Sequence, residues 1–235
     1  MAALPYPRLT AANSTGFVKS DRPQHQTLRF VPHNKAERNN AGGMHPSSQN
    51  QDRDKINHSA EMIYAETERL ALRSWQPEDL PSFIAMNKDE RVMRYFPSLL
   101  TEAETEAFYN RIQDEFHRKG RGLYAVGIKS TGEFIGYVGL HEIGFEAYFT
   151  PGTEIGWRLA ADYHNNGYAT EAAKAVLNLA KGAGVMRLYS FTARINAPSE
   201  RVMQKIGMVK VGEFNHPKLS ADSPLLRHVL YQIDL

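Results

Sequence analysis

Thr153–Leu177, TEIGWRLAADYHNNGYATEAAKAVL, reads as a strand, a short polar loop and the opening turns of a helix. Thr153 to Leu159 alternates as a half-buried strand would, with Ile155, Trp157 and Leu159 on one face. His164-Asn165-Asn166-Gly167 carries turn chemistry. From Thr170 to Ala180 a helical period aligns Ala173, Val176, Leu177 and Ala180. The crossing from loop to helix therefore falls at Asn166–Thr170. A helix start carries unpaired backbone N–H groups and the positive end of the helix dipole, so it suits a phosphate. Gly167 lets a ligand approach the backbone, and the small Ala169 keeps that approach open.

Outward from this unit, the chain alternates strands and helices. Thr67–Arg73 predicts a first strand with Leu70 and Leu72 inward. Pro77-Glu78-Asp79-Leu80 opens a helix, with Leu80, Phe83, Ile84 and Met86 on its apolar face. Val92–Pro97 reads as a connection, and Thr101-Glu102-Ala103-Glu104 as a capping box starting a second helix. Leu123–Ile128 and Phe134–Leu140 form a hairpin across Ser130–Glu133. After the central unit come a strand at Arg187–Thr192, a helix at Pro198–Ile206 capped by Asn196, and a final hairpin from Met208–Phe214 and His228–Ile233. This order predicts an α/β (α+β) domain with a mixed sheet and helices on both faces.

The 235 residues suffice for one domain with a real core and an added segment. Residues 1–60 are rich in Ser, Asn, Gln, His, Pro and Arg and read as a disordered leader before a domain at 61–235. The leader holds 8 Lys+Arg against 4 Asp+Glu, so the remainder, with 20 against 22, is mildly acidic and compatible with a cationic acceptor. The chain has no cysteine, which excludes disulfides, thiolate metal sites and cysteine nucleophiles. No apolar run approaches the roughly 18 residues of a membrane span. Gly-Lys-Ser/Thr is absent, so a Walker-type NTPase is excluded, and no G-x-G-x-x-G follows the first strand, so a Rossmann dehydrogenase is too.

Three motifs in sequence order carry a resemblance. They are Thr67-Glu68-Arg69-Leu70-x-Leu72-Arg73 with Asp79; Glu154-Ile155-Gly156-Trp157 leading into Gly167-Tyr168-Ala169-Thr170-Glu171-Ala172; and Asn196-x-x-Ser199-x-x-Val202-x-x-Lys205-x-Gly207. Together they resemble the GNAT superfamily of N-acetyltransferases, and within it the branch of the RimJ and RimL ribosomal-protein N-terminal acetyltransferases. His164 stands where that family's pyrophosphate loop has Gln or Arg. The resemblance implies a GNAT-like, mostly antiparallel central sheet and transfer of an acetyl group from acetyl-CoA to a primary amine, a protein N-terminus or a small molecule, by direct attack in a ternary complex. It implies that Asn165, Asn166, Gly167, Tyr168, Ala169 and Thr170 hold the pyrophosphate, that the backbone of Trp157 and Leu159 pairs with the pantetheine amides, and that Asn196 bonds the pantetheine arm. Lys205 and Arg201 on the late helix are placed to reach the phosphates, a solvated helix face being the stronger reading for Arg201.

Glu154 is the implied general base, or else a structural strand glutamate, with Glu142 and His141 as runners-up. Ser199 is the implied contact of the leaving thiolate, because Met203 occupies the place where many relatives carry Tyr. Trp75 and Tyr95 line the acceptor cleft or belong to the core. No metal and no nucleic-acid or membrane partner is expected, and a cytoplasmic monomer or homodimer is implied. The alternative is a non-catalytic GNAT-like module that binds coenzyme A.

Overall fold

A computed structural model describes residues 61–235. The leader expected at 1–60 lies outside the described residues. The strands are β1 (Ile63–Glu66), β2 (Leu70–Arg73), β3 (Leu123–Ile128), β4 (Phe134–Glu142), β5 (Thr153–Leu159), β6 (Arg187–Ala193), β7 (Val209–Asn215) and β8 (Arg227–Asp234). The helices are α1 (Asp79–Lys88), α2 (Glu90–Met93), α3 (Glu102–Lys119), α4 (Tyr168–Gly182) and α5 (Ala197–Lys205). The strands form one sheet in the order β1-β2-β3-β4-β5-β6-β8-β7. Neighbours are antiparallel except β5 and β6, which run parallel.

Both faces of the sheet are covered. On one, the small Ala172, Ala173 and Ala180 of α4, with Val176, pack against Leu70, Leu72, Ile155, Trp157 and Leu159. On the other, Phe83 and Met86 of α1 and Phe108 and Ile112 of α3 pack against Ala125 and Tyr137. Central β5 is consequently buried on both sides from Glu154 to Leu159, not half-buried as its alternation suggests. Its second face carries Glu154, Gly156 and Arg158, polar or small residues that an alternation rule assigns to solvent.

Two local expectations are corrected. The stretch Thr67–Arg73 is not one strand: β1 lies before it, and a tight turn at Thr67–Arg69 leads into β2. The Thr67 hydroxyl accepts from the Leu70 N–H at 2.9 Å, an ST-turn that makes an added edge hairpin. The connection at Val92–Pro97 is preceded by, and overlaps, the short helix α2, whose cap is the Asp89 carboxylate accepting from the Arg91 N–H at 2.8 Å. Asp79 also does more than favour a helix start. It is buried in a bidentate pair with Arg73, with both N–O distances 2.7 Å, and so locks β2 to α1. The capping box at Thr101 and Glu104 is formed as its spacing predicts.

Candidate active site

The cleft forms where β5 and β6 part. These parallel strands share one register pair, Glu154 with Tyr189, near their starts. Beyond it, towards Leu159 and Ala193, no pairing closes the sheet. A cavity of about 350 Å³ occupies this opening. Trp157 and Leu159 of β5 line it, with Asn165, Gly167, Tyr168, Ala169 and Thr170 from the loop and α4, and Asn196, Ser199, Arg201 and Lys205 from α5. Trp75 does not reach it: the indole is buried against Phe83, and its N–H donates to the Leu123 carbonyl at 2.6 Å. Tyr95 does line it.

The head of α4 is built by backbone geometry. Gly167 is its N-cap at φ 81°, ψ −3°, a left-handed conformation that costs a non-glycine residue roughly 1–2 kcal/mol. Asn165 is left-handed too, at φ 63°, and Asn is among the few non-glycine types that tolerate it. The N–H groups of Tyr168, Ala169 and Thr170, in the first helical turn, precede the first intrahelical donor, the Glu171 N–H that bonds the Gly167 carbonyl, and stay available for a phosphate oxygen. His164 occupies the loop's first position. Its Nε2 lies 2.9 Å from the Leu159 carbonyl and, as donor, ties the loop to the end of β5. Asn166 is absent from the lining; its carbonyl accepts from Arg69 at 3.1 Å, so it braces the loop from outside.

Asn196 and Ser199 form one unit. Asn196 is buried, and its Oδ1 accepts from the Ser199 N–H at 3.3 Å, capping α5. Its Nδ2 donates to the Thr192 hydroxyl at 2.8 Å and to the Ser199 hydroxyl at 3.0 Å. Because Ser199 Oγ accepts that bond, its own proton is left to point elsewhere, into the cleft that Ser199 lines.

Glu154 lies deeper and is not among the lining residues. It is 1% exposed and faces His141 directly across β4–β5, with Oε2 3.1 Å from the imidazole Nε2. Burial raises the carboxyl pKa to about 8 and lowers that of His141 to about 4. Near neutrality the pair is therefore mostly uncharged and shares a proton that Glu154 gives up at slightly alkaline pH. Glu142 is a different case. It is exposed and bonded to Lys119 at 2.8 Å, which holds its pKa below the ordinary value and makes it a poor proton acceptor.

Residues 69–209 match the family described as acetyltransferase (GNAT) domain. The chain belongs to the GNAT family. As a GNAT enzyme it transfers an acetyl group from acetyl-CoA to an amine acceptor. Among curated relatives, an uncharacterised N-acetyltransferase of Bacillus subtilis (strain 168), YnaD, is 34% identical over 155 residues, covering 65% of this chain and 86% of the relative. Among solved structures, a GNAT-family acetyltransferase from Bacillus anthracis is 29% identical, with TM-score 0.59, covering 72% of this chain and 96% of that one. Mycobacterium smegmatis RimJ, solved with a coenzyme A disulfide, shares the fold at 18% identity and TM-score 0.57, covering 70% and 81%.

Sequence reasoning missed what stands behind the GNAT loop. Arg69, in the turn before β2, donates to the Glu171 carboxylate at 2.7 Å through Nε and lies 4.4 Å from the Tyr168 ring centroid. Glu171 also accepts from the Thr67 hydroxyl at 2.6 Å and the Arg69 N–H at 3.0 Å. The opening and central motifs are thus one bracket across about 100 residues of chain, holding the head of α4. The signal lies in the two motifs themselves, but spacing does not reveal that they touch.

Proposed function

We propose that this GNAT enzyme acetylates a primary amine, on a protein N-terminus or a small molecule, by direct attack within a ternary complex. The observation that carries this is the gap between β5 and β6, which opens onto the left-handed Gly167 and the uncapped head of α4. Asn165, Gly167, Tyr168, Ala169, Thr170 and Lys205 hold the pyrophosphate, with Asn166 bracing the loop from outside, and the Trp157 and Leu159 backbones flank the pantetheine arm. Asn196 supports that arm's end of the cleft through Ser199.

The amine nitrogen attacks the thioester carbonyl carbon, and the C–S bond breaks. The proton lost by the amine passes, through water, to Glu154, whose raised pKa suits an amine better than that of an ordinary carboxylate. The departing thiolate accepts a hydrogen bond from the Ser199 hydroxyl and takes its proton from solvent. The RimJ/RimL branch, a cytoplasmic setting and a monomeric or homodimeric state are consistent with the three motifs. So is a domain spanning 61–235.

The test is release of coenzyme A thiol from acetyl-CoA by the full chain, across peptides with free N-termini and small amines. The chain contains no cysteine, so a thiol reagent reads coenzyme A alone. Thiol release that depends on an amine supports the reading. Tight acetyl-CoA binding without turnover on any amine would leave a coenzyme-binding module instead.

A further inference from the structure

The cleft has a second wall, and its charge is opposite to that of the domain. Arg91, Arg94, Arg158, Arg201 and Lys205 line it, and no Asp or Glu does. Arg201 and Lys205 stand on α5 beside the coenzyme seat. Arg91 is neutralised by Asp89 and Asp162 at 2.7 and 2.9 Å. Arg158 is different: it is 4% exposed and no carboxylate among the described residues pairs with it.

Burying a guanidinium without a counter-charge costs several kcal/mol, so proteins rarely do it for packing alone. Burial indeed pulls the Arg158 pKa below its ordinary value. The surroundings lessen that cost but do not remove it. Phe96, also in the cleft wall, lies 3.9 Å from the guanidinium carbon, and the Tyr137 ring is at 5.6 Å. Nη1 donates to the Asn87 Oδ1, and Asn87 in turn donates to the Thr105 hydroxyl at 3.3 Å. Asn87 is thereby a positioning residue that fixes the plane of the guanidinium.

With Nη1 held, the opposite edge is left. Nε and Nη2 are both buried and without a hydrogen-bond partner among the described residues. These two atoms form a side-on fork, whose parallel N–H groups match the two oxygens of a carboxylate. The cross-strand neighbour of Arg158, Tyr137, carries a further unpartnered buried hydroxyl. A cation with an unused fork, in the wall of a cleft lined by no acid, suits an anionic ligand group.

We propose that Arg158 recognises the acceptor, and that the amine acetylated by this enzyme is a small molecule bearing a carboxylate, of the amino acid class, received by the Nε–Nη2 edge. The proposal narrows the acetyl-transfer reading and depends on it only for the identity of the reacting amine. A mildly acidic domain is compatible with a cationic acceptor, but the lining of the cleft holds Arg94, Arg158, Arg201 and Lys205 besides the paired Arg91, and no acid, so the local charge favours an anionic group.

Calorimetry on the full chain tests it, with wild type beside Arg158→Met, which keeps the apolar stem, and Arg158→Lys, which keeps the charge but loses the fork. Acetyl-CoA is titrated first, and thermal melting checks the fold. With coenzyme A bound, N-acetylated glycine, leucine and phenylalanine are then compared with their carboxamides and with N-acetyl phosphoethanolamine. The acids should bind wild type on the order of tenfold or more tighter than the amides. That preference should vanish in Arg158→Met and be mostly lost in Arg158→Lys, with acetyl-CoA affinity within about twofold throughout.

Equal binding of acids and amides to wild type, no binding of either, or an acid preference surviving in Arg158→Met would overturn the proposal. Tighter binding of the phosphoryl compound would replace the carboxylate by a phosphate. A large loss of acetyl-CoA affinity in both variants would assign the guanidinium to the coenzyme. Failure of wild type to bind acetyl-CoA at all would instead remove the acetyl-transfer reading, whatever the acids and amides do.

Discussion

The coenzyme wall and the acceptor wall of the cleft are built on different principles. The coenzyme wall is backbone: a left-handed glycine, a helix head, and a strand left unpaired where β5 and β6 part. The acceptor wall is side chains on α2, the segment after it and the second face of β5, with Arg158 held between Asn87 and Phe96. Backbone geometry demands particular residue types at particular spacings. A side-chain wall demands only that something of suitable chemistry arrive from any element. The first wall therefore serves a ligand common to the family, and the second is free to differ from one member to the next.

The largest expected effect comes from breaking the backbone wall at its narrowest point. Gly167→Glu imposes a left-handed conformation on a branched chain and sets a carboxylate at an anion seat. Conformational strain of roughly 1–2 kcal/mol plus like-charge repulsion should weaken acetyl-CoA by about 100- to 1,000-fold. A Cβ at this position has ordinary room, 3.5 Å from Arg69 Nη2, so the fold should survive. Calorimetry with acetyl-CoA reads the loss, and unchanged affinity would mean that the helix head is not the phosphate seat.

Next in size is Glu154→Gln, which leaves the coenzyme wall intact and removes the proposed proton acceptor. The rate should fall on the order of 100-fold with acetyl-CoA affinity preserved. In wild type the rate should rise with pH and level off near the pKa of about 8, because the base works only when ionised. Stability moves the other way. The unfolded chain releases this proton near 4.5 and the folded one near 8, so the folded state holds the extra proton between them. Rising pH through that window therefore destabilises the fold, by up to about 1.4 kcal/mol per pH unit.

Below about 6.5 three buried histidines oppose this. His141, His216 and His228 are lowered to about 4, 3 and 4 by burial, so the unfolded chain binds their protons first and acid destabilises the fold. Urea titrations across pH 4 to 8 should thus show a maximum near 6.5, and Glu154→Gln should flatten the alkaline side and steepen the acid side. A rate insensitive to both the substitution and pH would leave Glu154 as a structural partner of His141.

A smaller effect belongs to the bracket between the walls' shared parts. Arg69→Ala removes the bonds to Glu171 and to the Asn166 carbonyl, together with the contact on Tyr168, but no direct ligand contact. Acetyl-CoA should weaken roughly 3- to 10-fold, in line with the loss of a group that orients others. Calorimetry that finds no change would show that the helix head holds its shape unaided.

How much of this was legible follows from the same division. Thr153–Leu159, Gly167 and the helix after it were readable because turn chemistry and periodicity are local. β3 fell at Leu123–Ile128 as its apolar run predicts, and the Thr101 capping box formed. The turn at Thr67–Arg69 was illegible because the bonds that close it, between Thr67 and Leu70 and from the turn to the distant Glu171, fall inside a stretch that alternates like a strand. The short α2 was hidden because four residues carry no period. Arg158 was invisible for a deeper reason: on a strand read as half-buried, a charged residue next to Trp157 and Leu159 is assigned to solvent. Only the covering of that face by α1 and α3 turns it into a buried cation.

The smallest effect should come from Ser199→Ala, and it bears on where the two walls meet. Ser199 Oγ accepts from Asn196 and keeps its own proton for a hydrogen bond to a departing thiolate. A thiol of ordinary pKa about 8.5 already leaves well, so the stabilisation that bond supplies is modest, and the rate should fall about 2- to 10-fold. Acetyl-CoA affinity should hardly move, since the capping bond runs from Asn196 to the Ser199 backbone and survives the substitution. Asn196→Ala is the contrasting variant. It removes the cap, at about 1 kcal/mol of stability, and frees the Ser199 hydroxyl to rotate. If Ser199 works through its oriented proton, Asn196→Ala should slow turnover at least as much as Ser199→Ala, and combining them should add little. If the losses multiply, the two side chains act separately, and Asn196 serves the pantetheine arm directly.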